Sequence, residues 1–247
     1  MEWELLEKIL RQAICNLFRR DGYLLRVGAN EPTIGGKLAW YINAAIIQER
    51  KKNISTYSQL RVPKYSVDVE YKDDTDNGKK KIAIRKNFSF RPDDPDEVRP
   101  DIILHRRGNN RNNLLAIELK KQNQYLKFTE EIQAKRKAIG YVGQERLGYK
   151  FGLYLAFRTN TDDFGISEAK LIRQDSFTQL HTSAILTRLA KMEELWVRVN
   201  ESLSPEQKVR ETEILNEIEQ EWGFEDVTQF LQPTPEDWQK SRSSKIS

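Results

Sequence analysis

Between Arg99 and Lys121 the chain reads RPDIILHRRGNNRNNLLAIELKK, two apolar runs separated by a polar turn. Both runs are strand-like, and both carry charges where a buried strand should have none. Asp101 opens the first; the second, Leu114 to Lys120, ends Glu-Leu-Lys. Side chains alternate across a strand. Leu115, Ile117 and Leu119 therefore share one face, and Ala116, Glu118 and Lys120 share the other. The first is a clean core face. The second sets a carboxylate beside an ammonium, with the small Ala116 leaving room next to them. If the two strands pair through RRGNNRNN, Asp101 points at the same spot.

Metal-assisted phosphodiester hydrolysis needs such a set. Two neighbouring carboxylates repel, and a Mg²⁺ ion relieves that repulsion while accepting only oxygen ligands. Asp101, Glu118 and the backbone carbonyl of Leu119 would supply protein oxygens. Bound water is acidified and the phosphorus polarised. Lys120 would position or deprotonate the attacking water, or stabilise the charge that develops on phosphate oxygens.

Pro100–Asp101 and Glu118-Leu119-Lys120 together resemble the two halves of the PD-(D/E)xK motif of the restriction-endonuclease-like nuclease superfamily. The resemblance extends over residues 30 to 157, in the order helix, three strands, helix, strand. It implies an α/β fold with a central mixed sheet flanked by helices, divalent metal held by Asp101 and Glu118, and Lys120 serving the nucleophile. Many members carry a glutamate on the helix before the first strand, a place that Glu31 occupies here; it would order a water or a metal ligand. The implied activity is Mg²⁺-dependent hydrolysis of DNA leaving a 5′-phosphate, with Mn²⁺ able to substitute. Two other readings stay open: an RNA-directed nuclease, and a catalytically silent nucleic-acid-binding or complex-forming subunit with the same fold.

Each residue also has a plainer explanation. Asp101 suits a turn entering a strand after proline. Glu118 and Lys120 would form a surface ion pair contributing only about 0–1 kcal/mol, although the strand around them is apolar. A carboxylate at Glu31 favours the first turn of a helix through the helix dipole. Glu70, at the end of another strand, His105, on the Asp101 face, and Gln122, on the Glu118 face if the strand continues, are weaker candidates of the same kind.

Charge is unevenly distributed. Net charge is +4 for the chain, but residues 101–150 carry 11 Lys/Arg against 5 Asp/Glu, and residues 201–247 carry 5 against 11. A basic working surface suits a polyanionic partner. Arg106, Arg107 and Arg111 on the turn, and Lys135, Arg136 and Lys137 on the following helix, are the expected phosphate contacts. The acidic C-terminal helices are expected to be accessory, serving a homodimer or a protein partner.

The domain reading is an accessory helix at 1–29, the nuclease-like core at 30–173, an acidic helical extension at 174–232 and a disordered tail at 233–247. Apolar spacing predicts a helix over 3–19 stopping at RRDG, with Gly22 as terminator and YLLRV extended. Asn30 caps a second helix. YSVDVEY and KIAIRKNFSF read as a strand and its returning partner, and residues 166–173 as an edge strand. Helices are expected at 129–145, 180–200 and 204–222. One cysteine, Cys15, excludes an intramolecular disulfide framework, and with two histidines no Cys/His zinc site of the usual ligand count can be built. The start MEWELLEKIL has neither a basic n-region nor an apolar h-region, and no run approaches the ~20 apolar residues of a membrane span. The expected location is cytoplasmic, with no membrane partner.

Overall fold

The computed structural model describes residues 1–55, 65–69, 73–74, 78–79, 81–82, 96–97, 99–107, 112–122, 128–143, 147–176, 219–220 and 223–237. Two long helices open the chain, α1 (Trp3–Arg26) and α2 (Glu31–Ser55). Leu6, Ile9, Leu10, Ala13, Ile14 and Leu17 recur at helical spacing on α1 and are completely buried. The helix does not stop at RRDG. Asp21 leaves helical geometry (φ −124°), but Leu25 beyond it is also fully buried, so YLLRV supplies the last turn and the cap rather than an extended piece. Termination falls at Gly28, whose φ of +65° is one that glycine takes without strain. Its N–H bonds the Leu25 carbonyl at 3.1 Å and that of Ala29 bonds Leu24 at 2.8 Å, a Schellman closure. Asn30 Oδ1 then accepts the Thr33 N–H at 2.9 Å, which caps α2.

The strands are β1 (Ser66–Val69), β2 (Asp73–Asp74), β3 (Gly78–Lys79), β4 (Lys81–Ile82), β5 (Asp96–Glu97), β6 (Ile102–His105), β7 (Leu115–Gln122), β8 (Phe151–Arg158), β9 (Gly165–Arg173) and β10 (Glu225–Asp226). Two further helices are described, α3 (Phe128–Gly143) and α4 (Thr228–Leu231). Six strands form one mixed sheet in the order β1-β6-β7-β8-β9-β10. The β7/β8 pair is parallel, as the crossover through α3 requires, and the other neighbours are antiparallel. β2/β3 and β4/β5 are separate two-residue pairs. Lys81–Ile82 therefore partners Asp96–Glu97, Ser66–Val69 of YSVDVEY finds its partner in β6, and the remainder of KIAIRKNFSF lies outside the described residues.

One face of the sheet packs under α1 and α2. Ile102, Leu104, Leu115, Ile117, Leu119, Phe151, Leu153 and Leu155 join the apolar sides of both helices in a single core, each large side chain contributing roughly 1.5–3 kcal/mol by leaving water. The other face is covered by α3. At Gly152 a Cβ would stand 2.6 Å from the Ala138 carbonyl oxygen, so the missing side chain lets α3 lie directly on β8. Mixed α/β architecture is thus the observed class, with these corrections. The helical pair is N-terminal, not a C-terminal region. Residues 180–200 lie outside the described residues, as do 204–222 apart from 219–220. β9 is an inner strand, because β10 pairs with it at Glu225↔Leu171 and Asp226↔Lys170. Within the stretch read as a disordered tail, Asp237 is placed, with Oδ2 3.0 Å from Arg11 Nε. No described helix is long and apolar enough to cross a membrane.

Candidate active site

The alternation along LLAIELK places Glu118 on the face of β7 that α3 covers, and α3 leaves the carboxylate only 1% exposed. β6 pairs with β7 only as far as Ile102↔Ile117. Beyond that point the edge of β7 has lost its strand partner, and side chains replace it. Asp101 Oδ2 accepts the Leu119 N–H at 2.6 Å. Glu31 Oε1, from the first turn of α2, accepts the Lys121 N–H at 3.2 Å, and its Oε2 lies 3.2 Å from Lys120 Nζ. N–H and C=O of one residue project to the same strand edge, so the Leu119 carbonyl faces the side where Asp101 sits. Glu31, Asp101, Glu118 and Lys120 thus meet at one end of β7.

Both Glu118 oxygens are engaged from α3. Tyr141 donates its hydroxyl to Oε1 at 2.5 Å, and Lys137 Nζ lies 3.2 Å from Oε2. Burial, and after it the charge of Asp101, pushes the Glu118 carboxyl up to about 7; Lys137 and Tyr141 pull the other way without restoring its ordinary value. Burial also raises Asp101, against the Leu119 N–H and the charges of Lys120 and Lys137. Lys137 is held above the usual lysine range: burial works against its charge, but Glu118, Asp101 and Glu31 outweigh that. The Tyr141 hydroxyl is pushed well up by burial and by Glu118.

Burial raises both carboxyls, Glu118 fully and Asp101 partly enclosed, so each favours the approach of a further positive charge. Asp101, Glu118 and the Leu119 carbonyl offer only oxygen donors, and this hard donor set fits Mg²⁺ or Mn²⁺.

The expected phosphate contacts fare differently. Lys135 and Arg136 are 0% and 1% exposed, so these two buried side chains are not the surface contacts that a basic helical run suggests. Lys135 Nζ is held by Glu131 at 2.5 Å, by Glu168 at 3.0 Å and by Glu219, over the Tyr154 ring. Among the described residues, Glu131, Glu168 and Glu219 are the one trio of acidic side chains that can each offer an oxygen within 4.8 Å of the others'. Such spacing could also hold a metal, but the Lys135 ammonium contacts all three carboxylates. Arg106 and Arg107 are exposed; Arg107 Nε bonds Asp68 Oδ2 at 3.0 Å, and His105 Nε2 lies 2.7 Å from the same oxygen. Arg111 and Glu70 lie outside the described residues, and Gln122 is exposed.

Sequence reasoning missed Tyr141, the pairing of Lys137 with Glu118, and the Lys135 cluster. The available signals were spacings: Lys137 and Tyr141, and Glu131 and Lys135, lie four apart on one helix, and Glu168 and Lys170 two apart on one strand. A cleft of about 320 Å³ bounded by Asn113, Leu114 and Lys150 lies at the opposite strand ends, away from these residues. Comparisons with models of known protein families, with curated proteins and with solved structures find no match for this chain.

Proposed function

We propose that the chain is a divalent-metal-dependent nuclease of PD-(D/E)xK type acting on DNA. One observation carries the reading: Asp101 and Glu31, distant in sequence, meet the Leu119–Lys121 segment at the unpaired edge of a central strand, within electrostatic reach of the buried Glu118. A surface ion pair would not require Glu118 to be buried, nor two carboxylates to be brought within electrostatic reach of each other.

Asp101 and Glu118, with the Leu119 carbonyl, would hold the ion, which would supply an activated water and polarise the phosphate. Lys120 would orient the nucleophile or neutralise charge developing on the phosphate. Glu31 fixes the Lys120 ammonium at 3.2 Å and so determines where that charge is presented.

The test uses purified protein with supercoiled, linear and single-stranded DNA and a matched RNA, in Mg²⁺, Mn²⁺ or EDTA. Metal-dependent cleavage that Glu118→Ala and Lys120→Ala both abolish is expected. Cleavage of RNA alone would redirect the reading to a ribonuclease. Absence of cleavage with every metal, while salt-sensitive DNA binding persists, would favour the silent binding subunit.

A further inference from the structure

Resting on that reading of the site, we propose that Lys137 is a resident counter-cation of Glu118, a positioning residue whose ammonium holds the Oε2 atom that a divalent ion must take over.

α3 presents Lys137 and Tyr141 one turn apart, and they divide the Glu118 carboxylate between them, Nζ on Oε2 and the phenol on Oε1. The close approach of α3 to β8 at Gly152 fixes the helix at this distance. A metal ion and an ammonium repel each other and compete for the same oxygen. Ligation through Oε2 therefore expels Lys137, whereas the Tyr141 bond at Oε1 can remain and keep the carboxylate oriented.

The expulsion has a route. The Lys137 side chain is 37% exposed beside a carboxylate that is 1% exposed, so its flexible stem can turn outward and leave the ammonium hydrated. Lys135, two residues earlier, has no such route: its side chain is 0% exposed and three carboxylates hold it. Lys120 is engaged by a different acid, Glu31. Lys137 is thus the ammonium in contact with the buried acid expected to ligate metal, and the site carries a compensating charge of its own when no ion is bound.

The experiment is a calorimetric titration of Mn²⁺ alone into the EDTA-stripped, dialysed full chain at fixed pH and salt. Wild type is compared with Lys137→Met, Lys137→Gln and Lys137→Arg, each shown to be folded by its thermal transition. Removing the competing ammonium should tighten Mn²⁺ binding about tenfold in the Met and Gln variants, the scale of one unit charge at contact distance in a partly screened site. Arg should restore wild-type affinity. The Mn²⁺ concentration giving half-maximal DNA cleavage should fall in parallel.

Unchanged or weaker Mn²⁺ binding in both neutral variants would overturn the counter-cation role, as would a wild type that binds no Mn²⁺. Tighter binding in the neutral variants of a chain that cleaves no nucleic acid would sink the nuclease reading while leaving the role of Lys137 standing.

Discussion

Tyr141 donates its hydroxyl to Glu118 Oε1 at 2.5 Å, and both groups are buried, 0% and 1% exposed. The bond ties α3 to the centre of the sheet at the acid on which the proposed chemistry depends. Tyr141→Phe removes one donor and leaves a buried carboxylate oxygen without it. Its expected cost is about 1–3 kcal/mol in urea denaturation. The hydroxyl favours the ionised form of Glu118, so the variant should also titrate Glu118 at higher pH. A stability equal to wild type at pH 8 would show that the bond contributes nothing to the fold.

The raised Glu118 pKa makes the metal-free fold pH-dependent in a definite direction. Below its ordinary value of 4.5 the carboxyl is protonated in folded and unfolded chains alike; above about 7 it is ionised in both. Between those values the folded chain binds more protons than the unfolded one, so this group's contribution to stability falls as pH rises. The full span amounts to roughly 3 kcal/mol. Glu118→Gln has no such titration. Its stability relative to wild type should therefore increase from pH 5 to pH 8 in EDTA, measured by urea denaturation at each pH. A relative stability that does not change across this window would mean that Glu118 titrates near its ordinary value.

Lys135 lies at the meeting point of three segments: Glu131 from α3, Glu168 from β9, and Glu219 from the chain that leads into β10. Lys170 adds a second ammonium, 2.9 Å from Glu219 and 3.2 Å from Asp226. Removing one partner of a buried ionic group leaves uncompensated charge, a loss of about 3–5 kcal/mol. Lys135→Met is expected to lose stability on that scale at neutral pH and to recover part of it in acid, where Glu168, whose carboxyl burial holds above its ordinary range, takes up a proton. Equal losses at pH 5 and pH 8 would assign the effect to packing instead.

The candidate site is legible in the sequence because strand alternation is local. Whatever packs on β7, Leu115, Ile117 and Leu119 must face away from Glu118, so one strand separates core from chemistry. The helix run Lys135-Arg136-Lys137 is not legible in this way. Its phase relative to β8 and β9 decides which side chains turn inward, and Lys135 becomes an interior residue only because Glu168 and Glu219, 33 and 84 residues away, converge on it. The end of α1 is not legible at RRDG for a related reason. Gly22 has the residue type of a terminator, but burial of Leu25 carries the helix on to Gly28, where the backbone itself takes a left-handed turn. Local chemistry identifies the polar patch; the partners that hold it require the topology.

Gly152 tests the link between packing and the site. A Cβ there would lie 2.6 Å from the Ala138 carbonyl oxygen, 2.8 Å from Ile172 Cγ2 and 2.9 Å from Val142 Cγ2, and a backbone oxygen does not yield as a flexible side-chain tip does. Gly152→Ala must move α3 off β8, at an expected loss of about 1–3 kcal/mol. Because Lys137 and Tyr141 ride on the same helix, the shift should lengthen their contacts with Glu118. The variant is therefore expected to lose metal-dependent cleavage more steeply than its stability loss accounts for, measured at a temperature where both proteins are fully folded. Cleavage at the wild-type rate in a destabilised variant would show that the site tolerates displacement of α3, and that β6, β7 and α2 are sufficient to hold it.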